Sequence, residues 1–378
     1  MRDHTDPAFS SFQSEGIIIM RKKALIAMSG GVDSSVAALL TQQTGDTCIG
    51  INLKLYHNED VGVDRQKTCC SLEDVEAARA VAWRLGMRFY VFNFTGCFRE
   101  AVIDRFTDAY QQGWTPNPCI DCNRYLKFGK LIERMRQLEM DYIVTGHYAR
   151  IEYETGRRRY VLKKGKDPNK DQSYVLYMLT QEQLANIRFP LGEFCKDEVR
   201  KMAEEHGFVN AKKRDSQDIC FVPDGDYAKV IETITGASAA PGLFTDSSGN
   251  ILGQHRGIIH YTVGQRRGLR ISGKERRYVV DILPEENRVI LGTDQELFRR
   301  ELTAEQVNLI SCEKITSPMR VKAKVRYRHP EQPALAWQDE DGKLHVRFDQ
   351  PQRAITKGQA VVLYDDEFVV GGGVICDV

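Results

Sequence analysis

The chain has 378 residues, of which 42% are hydrophobic and 28% charged, with a formal net charge of +1 at pH 7, so two or three globular domains are expected. The balanced charge excludes a uniformly basic surface, so a nucleic-acid partner would have to bind at local basic patches. No apolar run of about eighteen residues occurs, which argues against a membrane span, and ten scattered cysteines favour a reducing cytoplasm with free thiols.

The first segment, residues 1–21, is expected to be a disordered leader. It contains Ile17, Ile18 and Ile19, but its acidic residues and its short apolar run fit a secretory signal poorly. We expect either a disordered extension or an upstream start, with Met20 as the functional start.

Alternating strand and helix patterns then predict an α/β domain with a doubly wound parallel sheet. Strands are predicted at Lys23–Met28, Thr47–Leu55, Arg88–Phe92 and Tyr142–Thr145, and helices at Ser34–Gln43, Leu72–Leu85, Phe98–Gln112 and Tyr125–Leu138. We assign residues 22–212 to this catalytic domain. Ligands of such sheets lie at the carboxyl ends of the strands, near a switch in strand order.

The second half of the chain changes in character. After a helix predicted at Asp197–Glu205, glycines and short strands predict a small mixed central domain at residues 213–293. Polar and apolar residues alternate at Arg320–Arg328, Leu344–Phe348 and Ala360–Tyr364. That pattern predicts a small C-terminal β-barrel at residues 294–378.

The segment from Ser29 to Ser35, between the first strand and the first helix, has the residues of a phosphate-binding loop. Gly30 and Gly31 allow the backbone to approach an anion closely, and the serines present hydroxyls and free amides at a helix N-terminus. No Lys follows the glycines, so this is not a Walker loop. Two roles stay open for Asp33, the ordering of a metal ion or water and the capping of the helix.

A Cys-x-x-Cys pair, Cys119 and Cys122, follows two prolines, Pro116 and Pro118, which favour a rigid turn. A redox pair lacks a thioredoxin-like context here, and a structural zinc site lacks a second pair of ligands. A catalytic thiol and an iron–sulfur site completed by a distant cysteine both stay open.

The clearest cluster of cations is residues 320–328, where every second residue is Arg or Lys. In a strand this places five cations on one face and Val321, Ala323, Val325 and Tyr327 on the other. Aligned like charges are costly without an anion. We therefore predict an RNA contact here, with a solvated charged strand as the alternative.

Six ordered motifs resemble the bacterial tRNA-specific 2-thiouridylases of the MnmA type, which are ATP pyrophosphatases with a pyrophosphate loop (PP-loop). They are Ser29–Ser35, Asn117–Asn123, Thr145–Tyr148, Lys170–Tyr174, Asp215–Phe221 and Gly264–Leu269, and the resemblance runs from about Lys22 to Val378. It implies an enzyme that binds tRNA and ATP, adenylates the C2 oxygen of the wobble uridine in the anticodon loop, and replaces that oxygen with sulfur. It also implies Mg²⁺ on the leaving pyrophosphate, a sulfur donor, and one chain per tRNA, so we expect a monomer.

The resemblance also assigns roles to single residues. The implied ATP pocket consists of Ala27, Met28, Ser29, Gly30, Gly31, Val32, Asp33 and Ser34, with Leu53 and Gly146. The residues implied to meet the target base are Asn117, Pro118 and Cys119. The implied tRNA contacts are His147, Lys170, Asp171, Gln172, Arg326, Tyr327 and Gln359. Cys122 matches the nucleophile of the family, and Cys220 matches the cysteine that carries persulfide sulfur.

At position 119 the chain departs from the best-known members, which have an Asp that serves as general acid or base, and Asp121 lies two residues further on. Cys119, Cys122 and Cys220 match the subgroup implied to hold an oxygen-sensitive [4Fe-4S] cluster with one open iron. We favour this cluster over a persulfide cycle with a redox-active Cys122–Cys220 disulfide. In the persulfide cycle both thiols are expected in electropositive, partly open surroundings.

We expect Lys127, Arg124 and the helix predicted to begin near Tyr125 to supply that electropositive field.

Two rival functions remain for the chain. One is a PP-loop enzyme that adenylates a small molecule, and the other is a catalytically idle tRNA-binding protein. The first predicts ATP turnover that does not depend on RNA, and the second predicts binding of tRNA without its thiolation.

Overall fold

The computed structural model describes residues 21–61, 72–215, 219–222, 224–271 and 275–378. The expected leader, apart from residue 21, and the middle of the Asp215–Phe221 motif lie outside the described residues. Among the helices that are described, none is both long and apolar enough to cross a bilayer.

The described residues form the four strands predicted in the first domain, β1 to β4, and thirteen others. They are β1 Lys23–Ala27, β2 Thr47–Lys54, β3 Arg88–Asn93, β4 Tyr142–Val144, β5 Ala149–Glu154, β6 Arg159–Lys164, β7 Ile187–Arg188, β8 Gly242–Thr245, β9 Ile251–His255, β10 Tyr278–Leu283, β11 Arg288–Gly292, β12 Phe298–Leu309, β13 Met319–Lys324, β14 Gln332–Gln338, β15 Leu344–Arg353, β16 Ala360–Asp365 and β17 Phe368–Asp377.

The described helices include two long runs in which α-helical and π-helical segments follow one another without a break. The α-helical and π-helical segments are α1 Val32–Gln43, α2 Leu72–Arg84, α3 Thr95–Phe98, the π segment Arg99–Asp104, α4 Arg105–Gln111, α5 Pro118–Asp121, the π segment Cys122–Lys130, α6 Leu131–Gln137, α7 Gln181–Ala185, α8 Lys196–Glu205 and α9 Tyr227–Thr235. We call the continuous run at residues 118–137 the cysteine helix.

The N-terminal sheet confirms the predicted doubly wound fold. Its five parallel strands lie in the order β3-β2-β1-β4-β7. The central strand β1 is buried from both sides, because Ala24, Leu25 and Ile26 are fully covered. The strand order reverses between β1 and β4, and this reversal places the loop after β1 at the switch point, where such sheets bind ligands.

The predicted C-terminal barrel is also confirmed. Strands β12-β15-β14-β13-β16-β17 form a ring that closes because β12 also pairs with β17. The hairpin β5–β6, which we did not predict, leaves the N-terminal domain and joins this sheet through the pairing of Lys163 with Phe368. Between the N-terminal domain and the barrel in the sequence, strands β8 to β11 form a four-stranded sheet in the order β10-β11-β8-β9.

Two predicted elements need correction. The cysteine helix begins at Pro118 rather than near Tyr125, because the Asn117 side chain accepts a 3.2 Å hydrogen bond from the Cys119 amide and Pro118 takes the first helical position. Strand β13 ends at Lys324, and the chain then turns, so the predicted nine-residue basic strand is wrong.

Candidate active site

A single cleft of about 1160 Å³ gathers most of the residues selected from the sequence. The selected residues in its wall are Ala27, Met28, Ser29, Gly31, Val32, Asp33, Ser34, Leu53, Pro118, Cys119, Cys122, Gly146, His147, Lys170, Asp171, Gln172, Cys220 and Tyr327. The cleft therefore brings the phosphate-binding loop, the cysteines and a turn of the C-terminal barrel together.

Four selected residues do not line the cleft and instead support its wall. Gly30 packs against the backbone of Asp74, and Asn117 caps the cysteine helix. Arg326 donates hydrogen bonds to the Ala354 carbonyl oxygen and the Thr356 hydroxyl oxygen. Gln359 Nε2 donates a 2.7 Å hydrogen bond to the carbonyl oxygen of Thr115, just before the cysteine helix. The barrel therefore holds the turn that presents Cys119.

The loop after β1 has the geometry of an anion site. Gly30 has a φ of +80°, and a Cβ there would lie 2.3 Å from the carbonyl oxygen of Asp74. The hydroxyls of Ser34 and Ser35 each donate a 3.0 Å bond to the Gly31 carbonyl. No side chain caps α1 in the part of the chain that is described. Its first-turn amides are therefore available to a phosphate.

Asp33 does not cap α1, because Gly31 occupies the cap position and Asp33 lies in the first turn. Its carboxylate accepts hydrogen bonds of 2.7 and 2.8 Å from Lys196 Nζ and one of 2.7 Å from the Tyr148 hydroxyl. Sequence reasoning missed both partners, because each lies more than a hundred residues from Asp33 in the chain. Asn210 was missed for the same reason, and it donates to the Gly30 carbonyl at 2.9 Å.

The same lysine reaches the segment that leads to Cys220. Lys196 Nζ lies 2.7 Å from Asp215, whose carboxylate also receives Lys170 at 2.6 Å and Arg200 at 3.1 Å. Burial alone would raise the pKa of Asp215, but the hydrogen bonds from Lys170 and Lys196 outweigh it and lower the pKa. Asp215 is therefore an anion that ties three cations together beside the cleft.

The three cysteines differ in exposure. Cys119 is exposed and Cys220 half-buried, and the Cys220 carbonyl accepts a 2.6 Å bond from the Tyr56 hydroxyl. Cys122 is only 8% exposed, and its burial raises the pKa of the thiol to about 11 although Lys127 opposes the shift. The expectation of an open site is therefore wrong for Cys122, whereas the expected positive charge of Lys127 does act on the thiol.

Arg124, the other cation expected to act on the cysteines, does not line the cleft. Its guanidinium donates to Gln306 at 3.2 Å and lies over the ring of Tyr125. Asp121, the carboxylate nearest in sequence to Cys119, does not line the cleft and lies 3.7 Å from Arg105. Its burial raises the pKa to about 6.

The cysteine arrangement does not fit the expected [4Fe-4S] cluster. In residues 21–61, 72–215, 219–222, 224–271 and 275–378, no group of three or more His, Cys, Asp or Glu side chains is gathered closely enough to hold a metal ion. Cys119, Cys122 and Cys220 all line the cleft but do not form such a group. We therefore derive no chemistry through a cluster.

Comparison with known proteins identifies the family. Residues 22–224 match the family described as tRNA methyl transferase HUP domain, residues 229–293 the tRNA methyl transferase PRC-barrel domain, and residues 299–375 the aminomethyltransferase beta-barrel domain. The tRNA-specific 2-thiouridylase MnmA of Acetivibrio thermocellus is 50% identical over 94% of this chain and 99% of its own length. The protein of the same name from Clostridioides difficile is 48% identical over 95% and 99%. The chain belongs to the MnmA family of tRNA-specific 2-thiouridylases.

Among solved structures, a 4-thiouridine synthetase–RNA complex with bound ATP is 18% identical, with a TM-score of 0.33 over 57% of this chain and 50% of that one. A likeness this weak adds nothing to the family assignment, which rests on the sequence matches.

Several residues that the MnmA resemblance selects for tRNA are engaged inside the protein. His147 is buried, its Nδ1 lies 2.7 Å from the Thr145 hydroxyl, and burial lowers the pKa well below 6.5, so the ring is neutral. Asp171 accepts bonds from the Gly165 amide and the Ser173 hydroxyl, and Gln172 accepts one from the Tyr148 amide. Their contact with tRNA stays a prediction.

The basic segment of this MnmA-family chain divides at the end of β13. Arg320 pairs with Asp349 away from the cleft, whereas Lys324 and Arg328 line it. Val321, Ala323 and Val325 are buried as predicted, but Tyr327 is 36% exposed and donates to the Asp171 carbonyl at 3.1 Å. Two cations rather than five therefore face the cleft from this segment.

Proposed function

We propose that this chain is a tRNA-uridine 2-sulfurtransferase, which uses ATP to activate the C2 oxygen of a wobble uridine and then replaces it with sulfur. The observation that supports this most directly is the single cleft of about 1160 Å³ shared by the phosphate-binding loop, Cys119, Cys122 and Cys220. Its relatives are named tRNA-specific 2-thiouridylases. An enzyme that only adenylated a small molecule would not need thiols beside the nucleotide.

ATP would bind with its phosphates on the free amides at the start of α1, and with Leu53 and Gly146 beside the nucleoside. Mg²⁺ would arrive with ATP and be held largely by phosphate oxygens and water, because Lys196 and Tyr148 already engage Asp33. The uridine O2 then forms a bond to the α-phosphorus as the bond to pyrophosphate breaks. The N3 proton leaves the base, and Cys119, in the position of the family carboxylate, is our candidate to accept it.

Sulfur would follow a persulfide route. A persulfide donor R–S–SH transfers its outer sulfur to the Cys220 thiolate and leaves as the thiol R–SH. The terminal sulfur of the Cys220 persulfide then attacks C2 and displaces AMP. Cys122 then attacks the Cys220 sulfur, which forms a Cys122–Cys220 disulfide and releases 2-thiouridine. A dithiol reductant restores both thiols. Because Cys122 is buried and its pKa is raised to about 11, this step needs the loaded site to open or to supply charge.

The anticodon loop of tRNA would enter past the turn that follows β13. Lys324 and Arg328 provide phosphate contacts there, and Tyr327 offers a ring on which a base can stack. The wobble base must leave its stack to reach Cys119. We further propose that the chain acts as a cytoplasmic monomer.

The test is mass spectrometry of nucleosides from tRNA incubated with the enzyme, ATP, Mg²⁺ and a persulfide donor. We expect 2-thiouridine at the wobble position, and none with Cys122→Ser or Cys220→Ser. Pyrophosphate release that is independent of tRNA would instead support the small-molecule rival. Binding of tRNA with no chemistry would support the idle binder.

A second measurement addresses the cluster. Anaerobic reconstitution with iron and sulfide, followed by absorption and electron paramagnetic resonance spectroscopy, should yield no [4Fe-4S] signal while the persulfide donor supports full activity. A cluster that is needed for activity would overturn the persulfide route and not the overall reaction.

A further inference from the structure

The cysteine helix contains an unusual register between Cys122 and Lys127. Residues 122–130 are π-helical, so hydrogen bonds link residues five apart and side chains five apart lie on one side. In an α-helix the same two residues would point about 140° apart. Both line the cleft. The π turn therefore directs the Lys127 side chain into the site that holds the nucleophile.

Lys127 is half-buried and has no ion-pair partner among the residues that the structure describes. The other lysines near the phosphate-binding loop are paired, Lys196 with Asp33 and Asp215, Lys170 with Asp215, and Lys213 with Asp74. A partly desolvated ammonium without a counter-ion is costly. This arrangement is expected where the counter-ion is a substrate.

The position of Lys127 identifies which part of a substrate that counter-ion is. Lys127, Cys122 and His147 all line the cleft, and the positive charge of Lys127 lowers the pKa of both other groups. His147 adjoins Gly146, which is so close to α1 that a Cβ there would lie 2.8 Å from the Ser34 amide nitrogen. Lys127 therefore shares the cleft with the anion-binding turn of α1 and with Cys122, where the α-phosphate would lie between the pyrophosphate and the base.

We propose that Lys127 contacts the α-phosphate of ATP while the adenylyl group passes to the uridine oxygen. This inference rests on the proposed function. In that step a bond forms from O2 to the α-phosphorus, the bond to pyrophosphate breaks, and negative charge grows on the phosphoryl oxygens and the leaving group. The loop amides hold the outgoing phosphates, and Lys127 neutralises charge at the reacting phosphorus. Its ammonium gives up no proton.

The test is the rate of tRNA-dependent pyrophosphate release in single turnovers without a sulfur donor. We expect Lys127→Met and Lys127→Gln to lower this rate at saturating ATP by about 100-fold, with little change in the ATP concentration for half-maximal rate. Lys127→Arg should restore most of the rate. Lys130→Met is the matched control, because Lys130 is on the same helix but pairs with Glu133 at the surface, and its rate should not change.

Normal pyrophosphate release in Lys127→Met, with only 2-thiouridine lost, would overturn the proposal and assign the charge to Cys122 instead. Equal loss in Lys127→Arg and Lys127→Met, with unchanged thermal unfolding, would also overturn it. If the wild-type chain released no pyrophosphate with tRNA, the proposed function itself would have failed, which is a different result.

Discussion

Lys196 Nζ lies 2.7 Å from a carboxylate oxygen of Asp33, and this ion pair fastens the first turn of α1 to α8. The same ammonium lies 2.7 Å from Asp215, at the start of the segment that leads to Cys220. One side chain therefore links the phosphate-binding loop with the sulfur-carrying segment. Neither link is visible in a local sequence pattern.

Replacing that lysine should destabilise the protein measurably. Lys196→Met leaves Asp33 and Asp215 without their shared counter-charge in a largely buried place, so we expect the free energy of unfolding to fall by about 2–4 kcal/mol. Urea denaturation followed by circular dichroism measures it. Lys201→Met, on the same helix with an exposed 3.8 Å pair to Glu205, should cost less than about 1 kcal/mol. Equal losses in the two variants would show that the buried ion pairs of Lys196 contribute no more to stability than an exposed pair.

Gly146 should tolerate no side chain. A Cβ there would lie 2.8 Å from backbone atoms of Asp33 and Ser34, so Gly146→Ala must push back the first turn of α1. We expect a loss of about 1–3 kcal/mol and weaker ATP binding by calorimetry. Gly156→Ala is the control, since no atom of the described residues lies within 4 Å of the place its Cβ would take. Unchanged ATP affinity in Gly146→Ala would contradict the placement of the nucleotide.

The cysteines should react in order of exposure. Iodoacetamide at pH 7.5 should modify Cys119 first, because Cys119 is exposed whereas Cys122 is buried with its pKa raised to about 11. The thiolate is the reactive form, so the Cys122 rate should rise about tenfold per pH unit below that pKa. Peptide mass spectrometry at several times gives both rates. Faster reaction at Cys122 in the free enzyme would be the contrary result.

Acid should destabilise the fold partly through His147. Burial lowers its folded pKa well below the ordinary 6.5, so below about pH 6.5 the unfolded chain binds a proton that the folded chain does not. The His147 contribution to stability is therefore present above that pH and is lost as the pH falls, at about 1.4 kcal/mol per unit. Urea titrations of wild type and His147→Asn from pH 7 to 5 should differ in slope by this amount. Parallel slopes would show that the ring is protonated when folded.

The sequence was sufficient to predict a feature where neighbouring residues determine both its backbone geometry and its chemistry. The glycines and serines after β1 marked the phosphate-binding loop because a strand, a turn and a helix start follow in seven residues. The start of the cysteine helix was also encoded, by Asn117 as the cap and Pro118 at the first position. We interpreted these residues as a rigid turn and so predicted the helix seven residues late.

The end of the basic strand and the burial of Cys122 depend on contacts between residues that are far apart in the chain. The basic run after Arg320 alternates like a strand, but β13 ends at Lys324, and Arg326 turns inward to the Ala354 carbonyl. The sequence does not reveal that acceptor, which is 28 residues away. The burial of Cys122 likewise depends on packing between elements, so exposure of the thiol could not be predicted from its neighbours in the chain.

The hairpin β5–β6 has a consequence for how the protein reaches its native state. It belongs to the N-terminal half of the chain, yet Lys163 pairs with Phe368 on the barrel strand β17. Contacts between such distant parts of a chain form slowly, because a long loop must close before they form. Refolding should therefore end with a late, slow phase in which the barrel and the nucleotide-binding sheet become one cooperative unit.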